Sequence, residues 1–493
     1  MKTALVLVLC AAVSGQAQSS GTGPSTGTFT ATGAMTAARS GHTATLLNNG
    51  QVLIAGGAAN FNSPTASAEL YDPARGTFTL TGNMTTPRSW HTANLLPDGR
   101  VLIAGGYSGS GENLLRYLNT AEIYDPSTGT FTATGAMIHG HECSETQTLN
   151  NGKTLLSGGS VASDDHVPDA ELFDPAAGSF ADAGAYATDP NGFNSCQGAA
   201  STLLPDGRVL IVWEEHAAEI YDPQTGAFTE TGKPVALSYN DGLPTVTLLM
   251  TGKVLVAGGA DDSGIHKSAE FFDVPTGTFA PAASMSTGHV YHSATLLPSG
   301  TVLIAGGELF GGATIAATEL YDPVAGVFST GPQMITSRCC HTATLLNDGR
   351  VLIAGGSLVT SFPGGATAPL AELYTPDVLT PAPVLLSVTA DGQGQGAILH
   401  AGTARLVTAA DPAVAGEALE VYCTGLAEGS AIPPQVAVGG KLASIMYFGD
   451  APGFKGLNQV NIRVPNGVAA GSAVPVRLTY LGRPSNIVII GVN

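Results

Sequence analysis

Basic residues are scarce in this chain: 19 Lys and Arg stand against 38 Asp and Glu, a formal net charge of -19 at pH 7. A surface of that sign repels phosphate backbones and anionic headgroups, so neither nucleic acid nor a membrane surface is an expected partner. Charge of either sign is thin, at 12% of residues, whereas 44% are hydrophobic. That balance supports a buried core and argues against disorder. Beyond residue 17 no stretch is apolar for long enough to span a bilayer, so membrane insertion is not expected. No H-E-x-x-H, G-x-S-x-G or paired C-x-x-C occurs, which leaves zinc protease, α/β-hydrolase and zinc-ribbon readings without a motif. The Gly-Gly pairs end strands and do not lead into helices, so phosphate-cradling loops are absent as well.

The first 17 residues, MKTALVLVLCAAVSGQA, carry a basic Lys2, an apolar run from Ala4 to Val13, and small residues at Gly15 and Ala17. They read as an export signal, and the mature protein is expected to be secreted or held at the cell surface. Five cysteines then remain, Cys143, Cys196, Cys339, Cys340 and Cys423. An odd number leaves at least one thiol unpaired.

Glycine and proline are abundant, at 64 and 30 residues, and they punctuate a repeat. The unit reads H-x-A-x-L-L-x-x-G-x-V-L-I-A-G-G, then a variable loop, then A-E-L-Y-D-P-x-x-G-x-F. Its marker, the first glycine of the pair, falls at Gly56, Gly105, Gly158, Gly258, Gly306 and Gly355, with Trp213 in the fourth place. Four short strands per unit at this spacing predict a β-propeller of seven blades over 18–378. Strands a and b meet at an Asp-Gly or Asn-Gly turn in most copies, c is AELYDP and d is GTFT. The seventh unit lacks strand d, and a surplus GTFTAT stands at Gly27 to Thr32; pairing the two would close the ring and remove two edges.

These units resemble the kelch repeat, and in particular the central domain of galactose oxidase-like proteins. That resemblance implies a copper site built from a Tyr-His pair opening the last blade, a tyrosine cross-linked to a cysteine, and a C-terminal histidine. Here the last blade opens with Cys340-His341, while Tyr291-His292 stands one blade early, and the one C-terminal histidine, His400, has no ligand motif around it. Copper is therefore disfavoured. From 379 to 493 the alternating runs LEVYCTGL, GFKGLNQVNIRVP and VPVRLTYL are similar to Ig-like β-sandwich domains of secreted bacterial proteins, which serve as spacers or attachment modules.

Repetition separates scaffold from function. Glu69, Glu122, Glu171, Glu219, Glu270, Glu319 and Glu372 recur in strand c, and Arg39, Arg88 and Arg338 are their expected partners in three blades. His42, His91, His292 and His341 recur fourteen residues before the marker and are expected to be structural. The copies diverge most in blades three to five, on the face where strand a enters and strand b leaves. There His141, Glu142, Trp213, Tyr239, Asn240 and Asp241 are candidate ligand-binding residues, with Trp213 or Tyr239 as stacking platforms for a sugar. Asp164, Asp165, His166, Glu214, Glu215, His216, Asp261, Asp262 and His266 form acidic and imidazole clusters suited to a divalent cation. Cys143 and Cys196 open neighbouring blades and are a candidate disulfide. The expected function is a secreted, non-catalytic binding protein for an extracellular polysaccharide or protein. A metal-dependent enzyme acting on polysaccharide, or a degenerate copper oxidase, is the alternative.

Overall fold

The computed structural model describes residues 27–493 apart from 60–62, 110–115, 160–168, 188–198, 214–216, 236–243, 262–263, 310, 359–366 and 368. Residues 27–375 form seven four-stranded antiparallel sheets. The inner strand of each neighbours the inner strand of the next, and the last, Thr342–Leu345, returns to the first, Thr43–Leu46. The sheets thus stand in a closed ring around an axial channel, a β-propeller.

The repeat unit explains each layer. Strand b, for example Val52–Ala55, is buried along its whole length because it lies between neighbouring sheets, so it is apolar at every position. In strand c, Tyr71 packs on Phe78 of strand d with ring centroids 4.8 Å apart, which accounts for the Y-D-P-x-x-G-x-F pattern. The turn between them is held by Asp72, whose Oδ1 accepts the amides of Ala74 and Arg75. The Thr-Gly after strand d locks one sheet to the next: the Gly33 amide donates to the Gly76 carbonyl at 2.9 Å. A Cβ on Gly33 would lie 2.3 Å from that oxygen, so only glycine permits the approach.

The expected closure is present. Strand Thr28–Ala31 pairs antiparallel with Ala371–Thr375, Thr30 opposite Leu373 and Phe29 opposite Tyr374, and the Phe29 and Tyr374 rings stand 5.3 Å apart. Removing residues up to Thr32 exposes the edge of Ala371–Thr375. The expected result is a lower melting temperature and concentration-dependent self-association by size-exclusion chromatography, because an unpaired edge recruits another chain. A truncated protein that stays monomeric and melts with the parent would contradict this.

From Val384 onward the chain forms two five-stranded sheets that share one core, including Val421, Val460, Val476 and Ile490. This unit sits on the a–b hairpin face. The Ala431 amide donates to the Met250 carbonyl, the Arg477 guanidinium to the Asn48 carbonyl, and the Ala382 amide to the Asn347 carbonyl.

Candidate functional site

At the opposite face five of the inner strands are entered through a described residue in the left-handed region: Gly41, Trp90, Cys143, Tyr291 and Cys340 have φ between 53° and 60°. These residues join the sheets around the axis. The Trp90 amide donates to the Gly41 carbonyl at 2.7 Å, Cys143 to Trp90 at 2.8 Å, and Cys340 to Tyr291 at 3.1 Å. Positive φ costs a non-glycine residue of order 1 kcal/mol, and this inter-sheet bond offsets it. Gly41 is required for a second reason, since a Cβ there would lie 3.0 Å from the Trp90 indole. Four chemically distinct, partly exposed side chains, Trp90, Cys143, Tyr291 and Cys340, therefore surround the mouth of the channel.

The recurrent polar residues below this ring are scaffold. Arg39, Arg88 and Arg338 are fully buried and pair with Glu69, Glu122 and Glu372 at 2.6, 2.9 and 2.8 Å. Each guanidinium also donates through Nη1 to two carbonyls, as Arg88 does to Gly105 and Thr120. The histidines tie each inner strand to the one before it: His42 to Thr342, His91 to Thr43, His292 to Thr245 and His341 to Ser293, at 2.9 to 3.1 Å. Burial, reinforced for His42 and His341 by the arginines, holds the imidazoles of both down at about 3.

Three of the expected ligand residues are buried in this arrangement. His141 is 1% exposed and stands where Arg39, Arg88 and Arg338 stand in their repeats; its ring bonds Gly158 O and the Glu171 carboxylate at 3.1 Å. His289 occupies the same place in the sixth sheet. Trp213 is 3% exposed and packs edge-on against Tyr186 with centroids 4.6 Å apart, so it belongs to the core and offers no stacking face. Glu142 is also buried; burial first and then the Glu142 carboxylate push the Tyr117 hydroxyl up. Tyr239, Asn240 and Asp241 lie outside the described residues.

Of the nine expected cation ligands, Asp164, Asp165, His166, Glu214, Glu215, His216 and Asp262 lie outside the described residues. The other two do meet: Asp261 Oδ2 and His266 Nε2 are 3.2 Å apart across the hairpin formed by Ala260–Asp261 and Gly264–Ile265. Among the described residues no group of three or more His, Cys, Asp or Glu side chains is arranged to hold a metal. Cys143 is disulfide-bonded; Cys196 lies outside the described residues. Cys339 and Cys340 are free thiols with sulfurs 3.4 Å apart, and Cys339 donates to the Glu308 carboxylate. Cys423 is buried and its thiol is pushed up to about 12.

One site residue was missed by the sequence reading. Glu145 opens the inner strand Glu145–Thr148 of the third sheet, thirteen residues before its marker, where the other repeats carry Thr43, Thr92, Thr245, Ser293 or Thr342, with Ala200 in the fourth. Its side chain keeps exposed surface, yet protein surrounds the carboxyl. Desolvation alone pushes the carboxyl up to about 7, and no ion pair or hydrogen bond to a described residue offsets it. The signal was available in the sequence as an acid in a column of hydroxyls. Attention to the histidine column beside it and to the variable loops passed it over.

Comparison with known proteins agrees with the architecture. A kelch motif is matched over residues 95–137. No curated protein matches the chain. Among solved structures, a novel fungal alcohol oxidase with catalytic diversity among the AA5 family, in complex with copper, superposes with a TM-score of 0.62 at 16% identity, covering 95% of this chain and 100% of that one. At that identity the likeness is one of fold: a kelch-type, galactose oxidase-like β-propeller.

Proposed function

We propose that this protein is an exported, seven-bladed kelch propeller carrying an Ig-like C-terminal domain, and that it binds a polar extracellular ligand at the mouth of its axial channel without transforming it. The observation that carries the reading is Glu145. A carboxylate enclosed by protein with no cation or donor beside it among the described residues is costly when ionised, and a donor-rich ligand such as a sugar or a basic protein segment removes that cost. Trp90 and Tyr291 at the same mouth supply faces on which a sugar ring stacks. A Cys143–Cys196 disulfide would brace this mouth, a pairing supported by the bonded state of Cys143.

The copper-oxidase alternative is not supported by the residues present. His292 and His341 direct their Nε2 atoms to Thr245 and Ser293 in neighbouring strands. His400 is held within the C-terminal unit by Glu417 at 2.5 Å. Cys340 stands where the tyrosine would be needed. Of the nine residues on which a metal-dependent enzyme would rest, the two described ones, Asp261 and His266, pair with each other.

Glu145→Gln tests the binding reading. Because the folded carboxyl titrates near 7, above its ordinary value, the ionised form burdens the fold above neutrality and the burden vanishes in acid. The variant is therefore expected to melt higher than the parent at pH 8 and together with it at pH 4. It should also lose affinity for amino-sugar oligomers such as chitosan fragments, measured calorimetrically at pH 8. Unchanged binding by a variant that shows the melting shift would end this reading.

A further inference from the structure

The a–b hairpin face is covered by the C-terminal unit, but the cover is not flush. A cavity of about 1000 Å³ remains between the two. Sites for small organic ligands reach this size, and they favour boundaries between domains. Its floor is the ring of residues that end the inner strands, among them Leu46, Leu95, Leu248 and Leu345. Its roof carries the exposed apolar side chains of Met446 and Tyr447.

In a chain of net charge -19, a single cation among the described residues lines this space, Arg477. Its Nη1 donates to the Asn48 carbonyl at 2.9 Å, which fixes the guanidinium at the boundary. No carboxylate pairs with it among the described residues, and burial alone acts on its ionisation. The one described acid in the lining, Asp206, is taken by Arg208 at 2.7 Å. A half-buried guanidinium with free donors beside an apolar ring is complementary to an anion on a hydrocarbon body.

We infer that this cavity binds a small organic anion with an apolar tail, its carboxylate or sulfate on Arg477 and its tail on the leucine ring. The site lies on the opposite face from Glu145 and stands independently of the ligand proposed there. The hairpin sequences that form its floor are the most uniform in the chain, which is why variation between repeats does not reveal it.

Calorimetric titration of the mature chain with decanoate, octanoate and decan-1-ol, each below its aggregation concentration, tests the inference. Decanoate should bind once per chain. Octanoate should bind roughly fifteenfold more weakly, since each methylene contributes about 0.8 kcal/mol. Decan-1-ol should bind at least tenfold more weakly than decanoate, and Arg477→Met should abolish that preference. Ser444 is exposed and lines the cavity, so Ser444→Trp fills the space without disturbing the core, and it should weaken all three ligands. Circular dichroism verifies that both variants are folded. Non-saturating uptake, or decanoate binding unchanged in either folded variant, would overturn the proposal.

Discussion

Arg88→Met is expected to lower the stability of the propeller by about 3–5 kcal/mol, the usual consequence of removing one partner from a buried ion pair. Arg88 is fully buried and bonds the Gly105 and Thr120 carbonyls and the Glu122 carboxylate. Without it, Glu122 keeps only the amides of Thr85 and Thr86, the Gly105 carbonyl loses its donor, and the Thr120 carbonyl keeps the Gly105 amide alone. Arg88→His should cost markedly less. The third and sixth sheets already use His141 and His289 in that position, each bonding the carbonyl of the marker glycine and facing the strand-c glutamate. Urea unfolding at pH 7 reads the difference. A histidine variant as damaged as the methionine variant would mean that these two histidines depend on surroundings the other sheets lack.

The second large effect is acid instability beginning well above the carboxylate range. His42, His91, His292 and His341 are enclosed between inner strands, and burial keeps them neutral far below the ordinary 6.5. Above pH 6.5 they are neutral in both folded and unfolded chains and contribute no pH dependence. As the pH falls from 6.5 toward 3, the unfolded chain takes up protons that the folded one refuses, so stability falls. At pH 4.5, two units below the ordinary value, His42 and His341 together cost roughly 5 kcal/mol, at about 1.36 kcal/mol per unit each. Glu145 acts with the opposite sign, since acid relieves it as the pH falls through about 7. Carboxylates such as Glu171 and Glu319 are held below their ordinary values and lose their contribution only lower in the range. Melting curves between pH 8 and 4.5 for the parent and a His42→Gln, His341→Gln variant should therefore converge in acid. Parallel curves would refute the assignment.

The scaffold was legible in the sequence because each contact within it repeats. A strand-c aromatic, tyrosine in five copies and phenylalanine in the third and fifth, packed on a strand-d phenylalanine across an Asp-Pro-x-x-Gly turn in most copies, is explained by one packing event, and the missing strand of the last copy pointed to its partner near the N-terminus. The strand-c glutamates and their arginines were readable for the same reason. Divergence between copies was a weaker guide to function. His141 and Trp213 depart from the repeat, yet both serve the scaffold, one as a substitute for arginine and one as core. A substitution within a column can preserve a role through different chemistry, and only the neighbouring atoms distinguish that from a new role.

What the sequence determined by itself is the sheet: alternation, turn chemistry and a local pairing register are set within some fifty residues of chain. What the tertiary structure alone decided is which residues face one another across the axis and across the boundary between the two units. Glu145 became an enclosed carboxylate because the inner strands converge around the axis, and Arg477 became a cation over a leucine ring, with no carboxylate partner among the described residues, because it meets Asn48 from the far end of the chain. Those environments are made by residues hundreds of positions apart, and the low dielectric that gives them their chemistry exists only once the ring has closed and the C-terminal unit has seated on it.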